Sequence, residues 1–255
     1  MSRVRSLAKS VIVRLLGKET RPRRILSGLA SGYRISVSPA EKLSYLLGTD
    51  EPHLQKAIRR YVALGDTVYD IGANLGYVSL ELAKRVGPNG RVIAFEPIPQ
   101  NIAAFRRHIE INALRQVQLF EFAASDKAGT AVIRMVENPS TASLVWHRND
   151  PAAAEFSVST ISVDELVEGG QLAYPKFVKI GVEGAEASVL QGMRRTIAAA
   201  RPVLFVECSE AGRESSWHLM QDLHYRCQSA ITGRWINTFD EYRHADFLWL
   251  PSPKL

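Results

Sequence analysis

Apolar and polar positions alternate along this chain between short runs of period two and longer runs of helical period. Near the start, Val4, Leu7, Ala8, Val11, Ile12 and Leu15 recur at helical spacing, with basic and small polar residues between them, until Gly17 ends the pattern. Tyr33 to Val37 reads as a short strand, Ser38 and Pro39 as a turn, and Glu41 to Leu47 and Pro52 to Val62 as helices. After the turn Leu64-Gly65-Asp66, a β-rich run from Thr67 to Ile71 enters a glycine-bearing loop. A helix then starts near Tyr77 and stops before Gly87-Pro88-Asn89-Gly90, and a second strand, Arg91 to Phe95, stops on Glu96-Pro97. The next helix, Ile98 to Asn112, turns Ile102, Phe105 and Ile109 inward together with the following Leu114, and its Arg106-Arg107-His108 run reads as a solvated face. A third strand runs from Val117 to Ala123.

The second half has the same grammar. Residues 128–136 alternate like one arm of a hairpin, and a polar connection leads to a strand from Phe156 to Ile161. Ser162, with Glu165 three residues later, has the form of a capping box at a helix start. Pro175 to Ile180 is the fourth strand of the βα succession, a helix begins near Ala185, and Val203 to Val206 is the fifth strand. Leu219 to Leu223 fits a helix, and Trp235 to Phe239 with Phe247 to Leu250 fit closing antiparallel strands. Strands alternating with helices predict an α/β domain built on a largely parallel sheet. The organisation expected is a basic N-terminal segment and lead-in over residues 1–50, then one domain over 51–255 with a substrate-side insertion at about 128–160.

Charge sharpens this division. The net charge of +6 conceals a strong asymmetry: residues 1–34 carry nine Lys or Arg against the single acid Glu19, and the remainder is slightly acidic. A nucleic-acid enzyme would spread positive charge along a cleft of the body, so the distribution argues against a nucleic-acid partner. The basic helix fits either an anionic membrane surface or a packing role on its own domain or a second subunit, so peripheral membrane contact and a homo-oligomer are both open. Two cysteines without a CxxC pair point to a reducing compartment. No secretory signal or membrane span is apparent, and the expected location is the cytoplasm, including the inner face of its membrane.

The loop after the first strand of the core carries the chemistry. Strand, glycine loop, helix, strand and acid make one βαβ unit for a nucleotide-like ligand. A dinucleotide site requires GxGxxG, so that backbone can approach a pyrophosphate; here Asn74 stands where the second glycine belongs. S-adenosylmethionine has no phosphate but carries an ammonium, a carboxylate and a sulfonium. Asp70 at the strand end can meet the ammonium, and the amides of the Gly72–Ala73–Asn74 loop can receive the carboxylate. Gly72 and Gly76 permit close approach and tight turning. Glu96, followed by Pro97, ends the next strand where a carboxylate can hold both ribose hydroxyls, and Ala123, Ala124 and Asp126 at the third strand end are candidate purine contacts. The plainer alternative for Asp70 and Glu96 is that they cap turns. Scattered histidines form no spaced cluster with cysteines or acids, so a metal-free site is expected.

The blocks DIGANLG and FEP, with the later KIGVEGAE and RPVLFVE, resemble the FkbM-type family of S-adenosylmethionine-dependent methyltransferases over nearly the whole chain. Taken with that resemblance, the strand succession predicts a Rossmann-like class I methyltransferase fold, its seven-stranded, mostly parallel sheet ordered 3-2-1-4-5-7-6 with helices on both faces. The resemblance implies O-methylation of hydroxyl groups on sugars, glycolipids or secondary metabolites, with a small-molecule, sugar or lipid-linked acceptor. It also implies an Asp at the end of the fourth strand, where this chain has Gly181, itself placed against the cofactor.

Without that Asp, the candidates for orienting or deprotonating the acceptor are Glu183 first, then Glu207 at the fifth strand end and His147 in the insertion; Glu186 is a further acid nearby. Glu183 also fits a plain helix-start carboxylate. Lys179 is expected to pair with an acid, Glu207 among them. Trp146 and Arg148 are candidates for stacking on a sugar or meeting an anion. Two other readings stay open: methylation at nitrogen or on a macromolecule, and a cofactor-binding protein without turnover.

Overall fold

In the computed structural model the described residues are 13–14, 16–135, 154–182, 184–210, 212–243 and 245–253. Most of the N-terminal amphipathic pattern, together with Trp146, His147, Arg148 and Glu183, lies outside them.

Among the described residues the first paired strands form a two-stranded antiparallel hairpin, β1 (Arg21–Arg24) and β2 (Arg34–Val37). Two lead-in helices follow, α1 (Leu43–Leu47) and α2 (Pro52–Tyr61). The nucleotide unit is β3 (Thr67–Ile71), α3 (Tyr77–Val86) and β4 (Arg91–Phe95). Next come α4 (Pro99–Ile111), β5 (Val117–Phe120), β6 (Ala123–Ala124), β7 (Gly129–Met135), β8 (Ala154–Ile161) and α5 (Val163–Glu168). The last third holds β9 (Phe177–Ile180), α6 (Glu186–Gly192), α7 (Arg194–Ala200), β10 (Val203–Cys208), α8 (Arg213–Asp222), β11 (Tyr225–Ser229), β12 (Trp235–Ile236) and β13 (Ala245–Pro251).

Among the described residues the main sheet is mixed and has eight strands, in the order β12-β11-β13-β10-β9-β3-β4-β5. Five neighbouring strands, β10 to β5, are parallel, and the other three are antiparallel. The expectation of seven strands is corrected in two respects. The sixth strand of the succession is Tyr225–Ser229, not Trp235–Phe239; the latter stretch contributes only the two-residue edge strand β12, and its end winds into a 3-10 turn at Phe239–Glu241. Tyr225 and Cys227 point inward at period two, but the polar residues between them hide a strand of only five residues from sequence inspection. The expected third strand also breaks after Phe120, and Ala123–Ala124 pairs instead with β8 in a separate three-stranded sheet with β7.

Alternation along the strands sorts the core into two layers. Tyr69, Ile71, Val178, Ile180, Leu204 and Val206 face α5, α6 and α8. Val68, Phe177 and Phe205 face the lead-in and α3, with Ile25, Ile35, Leu46, Leu54 and Ile58 in the same cluster. The same parity puts Asp70, Lys179, Gly181 and Glu207 on the lead-in face, since Asp70 is in register with Lys179 and Lys179 with Phe205.

Two smaller expectations change. Ser162 precedes α5 but does not cap it with its side chain; its hydroxyl donates to the Gly192 carbonyl at 2.8 Å, tying α5 to the end of α6. His108 is not on a solvated face: it is fully buried, Nε2 accepts from the Ser36 amide at 2.9 Å, and Nδ1 therefore donates to the Leu75 carbonyl at 2.7 Å. It joins the hairpin to the glycine loop. Burial lowers its pKa, against the two backbone hydrogen bonds. Below the unfolded-state value of about 6.5 the unfolded chain takes up a proton that the folded one refuses, so this residue costs stability as pH falls. Urea unfolding at pH 7 and pH 5 should show a smaller acid loss in His108→Gln than in the parent; equal losses would mean His108 is not held neutral.

Candidate active site

A cavity of about 290 Å³ opens at the carboxyl ends of the parallel strands, where α/β folds bind ligands. Its donor-side floor is the loop between β3 and α3. Gly72 has φ 79°, and a Cβ there would lie 2.0 Å from the Gly181 carbonyl oxygen, so only glycine lets the tips of β3 and β9 close together. Asn74 takes the left-handed conformation at φ 51°, which asparagine tolerates better than most residues.

The loop amides are consumed internally. Gly72 and Ala73 both donate to the Phe95 carbonyl at 3.0 Å, Asn74 donates to Glu96 Oε2 at 2.8 Å, and Gly76 donates to Ala73. The expectation that these amides receive a ligand carboxylate is therefore corrected. The first-turn amides of α3 at Tyr77 and Val78, residues that line the cavity, are the donors a helix start leaves over.

Glu96 is 2 % exposed and lines the cavity. Its Oε1 accepts from the Ile98 amide at 3.0 Å and from Asn101 at 3.1 Å, which leaves Oε2 with one lone pair beyond its bond to Asn74. It caps a turn and also presents an acceptor to the cavity. Burial raises its pKa, against the hydrogen bonds from Ile98, Asn101 and Asn74.

Asp70 lies beneath the loop and does not line the cavity. Its Oδ2 accepts from the Ser79 hydroxyl at 2.5 Å, while its buried Oδ1 has no hydrogen-bond partner among the described residues. Gly76 also sits outside the lining, against the Phe105 ring. Pro97, Ala123 and Ala124 line the cavity, joined by Phe95, Phe122 and Ser125. Asp126 does not; it accepts from the Ser125 hydroxyl at 3.1 Å. Phe95 stacks on Phe120 with ring centroids 5.2 Å apart, which makes this wall flat and apolar.

At the tips of β9 and β10, the absent side chain of Gly181 is filled by its neighbours. A Cβ on Gly181 would lie 2.3 Å from Lys179 Nζ and 2.7 Å from both Glu207 carboxylate oxygens. Lys179 is nearly inaccessible and pairs with Glu207 at 3.1 Å, while Glu207 keeps about a third of its side chain exposed to the cavity. Burial alone would lower the Lys179 pKa, but Glu207, Asp70 and Glu51 outweigh it and hold the ammonium charged. Glu186 is occupied structurally: it accepts from the Gly184 amide at 3.0 Å and the Ser209 hydroxyl at 2.7 Å.

The remaining wall comes from the lead-in, which sequence reading left out of the site. Lys42, Tyr45, Asp50 and Glu51 all line the cavity. Tyr45 stacks on Tyr77 at 4.2 Å, fastening α1 to the first residue of α3. The signal available in the sequence was parity: in FVKIG, Phe177, Lys179 and Gly181 share a face, and some covering element had to meet that lysine. Behind this wall, burial pushes the Glu81 carboxyl up to about 9. Among the described residues, no group of three or more His, Cys, Asp or Glu is placed to hold a metal ion.

The residues fit S-adenosylmethionine. Among the described residues the cavity is lined by four carboxyl groups and two lysines, which supply acceptors for a ligand carrying sulfonium and ammonium charges. The loop presents bare backbone at Gly72, and Glu96 offers its acceptor beside the flat Phe95 wall. Fold and site together define the class of Rossmann-like, S-adenosylmethionine-binding methyltransferases.

A sequence model of the methyltransferase FkbM domain matches residues 70–243. The chain belongs to the FkbM methyltransferase family. Among curated relatives it is similar to the hexuronic acid methyltransferase AglP of Haloferax volcanii, 27% identical over 54% of this chain and 54% of that protein. It is also similar to methyltransferase 1 of Beauveria bassiana, 26% identical over 65% of this chain and 74% of that protein. The match thus spans only about half the length of the first of these. A solved FkbM methyltransferase from Methylobacillus flagellatus aligns with TM-score 0.45 and 19% identity, covering 82% of this chain and 52% of that one.

Proposed function

We propose that this protein transfers a methyl group to a hydroxyl of a sugar, glycolipid or related small molecule. The observation that carries this reading is the pairing, in one cavity, of the donor-side loop with a carboxylate-lined region at the tips of β9 and β10. Bound S-adenosylmethionine would supply a methyl group on a positively charged sulfur that leaves as a neutral thioether. The Gly72 loop and Glu96 hold the donor in place, and the Phe95 and Phe122 side closes on its base. Glu207, whose buried Oε1 is taken up by Lys179, leaves its other carboxylate oxygen for a hydroxyl to donate to and be oriented by. The acidic lining favours a neutral hydroxyl over an ionised carboxylate at the reacting position. The similarity to a protein named for hexuronic acid methylation supports a sugar acceptor.

Transfer of tritiated methyl to a panel of hexoses, hexuronic acids and glycolipids, with products identified by mass spectrometry, tests the proposal. A base-stable O-methyl ether is expected. Only base-labile esters, or only N-methyl products, would overturn the hydroxyl assignment. Tight binding of S-adenosylhomocysteine without any product across the panel would instead identify a cofactor-binding protein without turnover.

A further inference from the structure

Glu51 is the least economical residue of the cavity. It precedes α2 in the left-handed conformation at φ 42°, a geometry that costs a non-glycine residue about 1 kcal/mol or more. Its side chain makes no capping hydrogen bond to the helix that follows. It is turned into the cavity, and its Oε2 is buried without a hydrogen-bond partner among the described residues. Backbone strain and an unused buried acceptor point to a task other than stability.

Its surroundings define that task. The charges that act on Glu51 are, in order of strength, Lys179 of β9, Glu207 of β10, then Asp50 beside it and Asp70 of β3. Tyr45 of α1 and Glu81 of α3 also feel its charge. Glu51 therefore lies in the field of the Lys179–Glu207 pair at the tips of β9 and β10, the part of the cavity read above as the acceptor's. Glu207 is ion-paired with Lys179 through Oε1, whereas Glu51 lines the same cavity with a buried Oε2 that has neither an ion-pair nor a hydrogen-bond partner among the described residues.

We propose that Glu51 is the catalytic base, taking the proton from the acceptor hydroxyl as its oxygen bonds to the methyl carbon. This rests on the reading of the protein as a hydroxyl methyltransferase. The balance is simple: the oxygen–carbon bond forms, the carbon–sulfur bond breaks with its electron pair passing to sulfur, and the hydroxyl proton passes to Glu51 Oε2 and later to water. Burial raises the Glu51 carboxyl to about 8, with Lys179 opposing the rise and Glu207, Asp50 and Asp70 adding to it. A base poised near working pH shares its proton most effectively.

Glu51→Gln tests this, with Glu51→Asp as the conservative control and thermal unfolding as the check on folding. Methyl transfer should fall by about 100-fold or more in Glu51→Gln and recover in part in Glu51→Asp, while S-adenosylhomocysteine binding by calorimetry stays within about twofold. Carbon NMR of carboxyl-labelled protein, parent minus Glu51→Gln, should reveal one group titrating well above the ordinary carboxylate range. Parent-level transfer by folded Glu51→Gln, or a Glu51 resonance titrating near 4, would overturn the proposal. A large loss of S-adenosylhomocysteine affinity would overturn it too, by assigning Glu51 to the donor's ammonium. Failure of the hydroxyl reading is seen separately, as absence of any ether product from the parent protein, and the NMR titration does not depend on it.

Discussion

Gly72→Val should abolish S-adenosylhomocysteine binding, lowering affinity by about 100-fold or more while leaving a folded protein. Two effects act together. Valine is β-branched and resists φ 79°, and its Cβ would lie 2.0 Å from the Gly181 carbonyl, well inside contact distance. The Gly181 amide donates to the Ile71 carbonyl at 3.0 Å, so the tips of β3 and β9 cannot part without losing that bond. Relief has to come from the loop, which then rises into the space the ligand would fill. Calorimetric titration of folded variant and parent reads this directly. Unchanged affinity in the variant would mean the ligand does not rest on this loop.

Lys179→Met should destabilise the fold by about 3 kcal/mol at neutral pH, because breaking one side of a buried ion pair leaves the other charge unpaired. Glu207 loses its partner, and Asp70 and Glu51 lose the cation that lowers their pKa values. Without it those carboxyl groups stay protonated in the folded protein to higher pH than in the unfolded chain. A carboxyl raised by folding withdraws stability as pH climbs above its unfolded value of about 4. The Glu51 carboxyl, already raised to about 8 with the lysine present, ionises in the folded parent only around and above that pH, so the cost of the substitution should be smallest near pH 6 and grow towards pH 9 in urea unfolding. An equal cost at both pH values would show that the lysine contributes packing alone.

The parts of the fold legible in the sequence are those where period, punctuation and burial agree. The βαβ unit from Thr67 to Phe95 is framed by glycines and by apolar strands, and its bounds are close to those expected. Tyr225–Ser229 was hidden because a strand near the sheet's edge alternates Arg226 and Gln228 with its inward residues, a pattern too short and polar to stand out. His108 was hidden because its neighbours Arg106 and Arg107 are exposed and its two backbone partners are remote in sequence. For the site, Gly72, Asn74 and Glu96 could be read from spacing. The Lys179–Glu207 pair could be anticipated from strand ends, but its occupation of the gap at Gly181 needed the register of β9 against β10. Asp50 and Glu51 carry no motif at all; only packing of the lead-in across the strand tips reveals them.

The lead-in wall has a consequence for how such a protein diversifies. The region that defines its family begins at residue 70, whereas Lys42, Tyr45, Asp50 and Glu51, which form one wall of the cavity, precede it. One wall of the cavity is thus encoded outside the stretch that defines the family. Drift or exchange in the stretch before residue 70 can reshape that wall while Gly72 and Glu96 stay fixed, so a match over residues 70–243 leaves one side of the cavity undetermined.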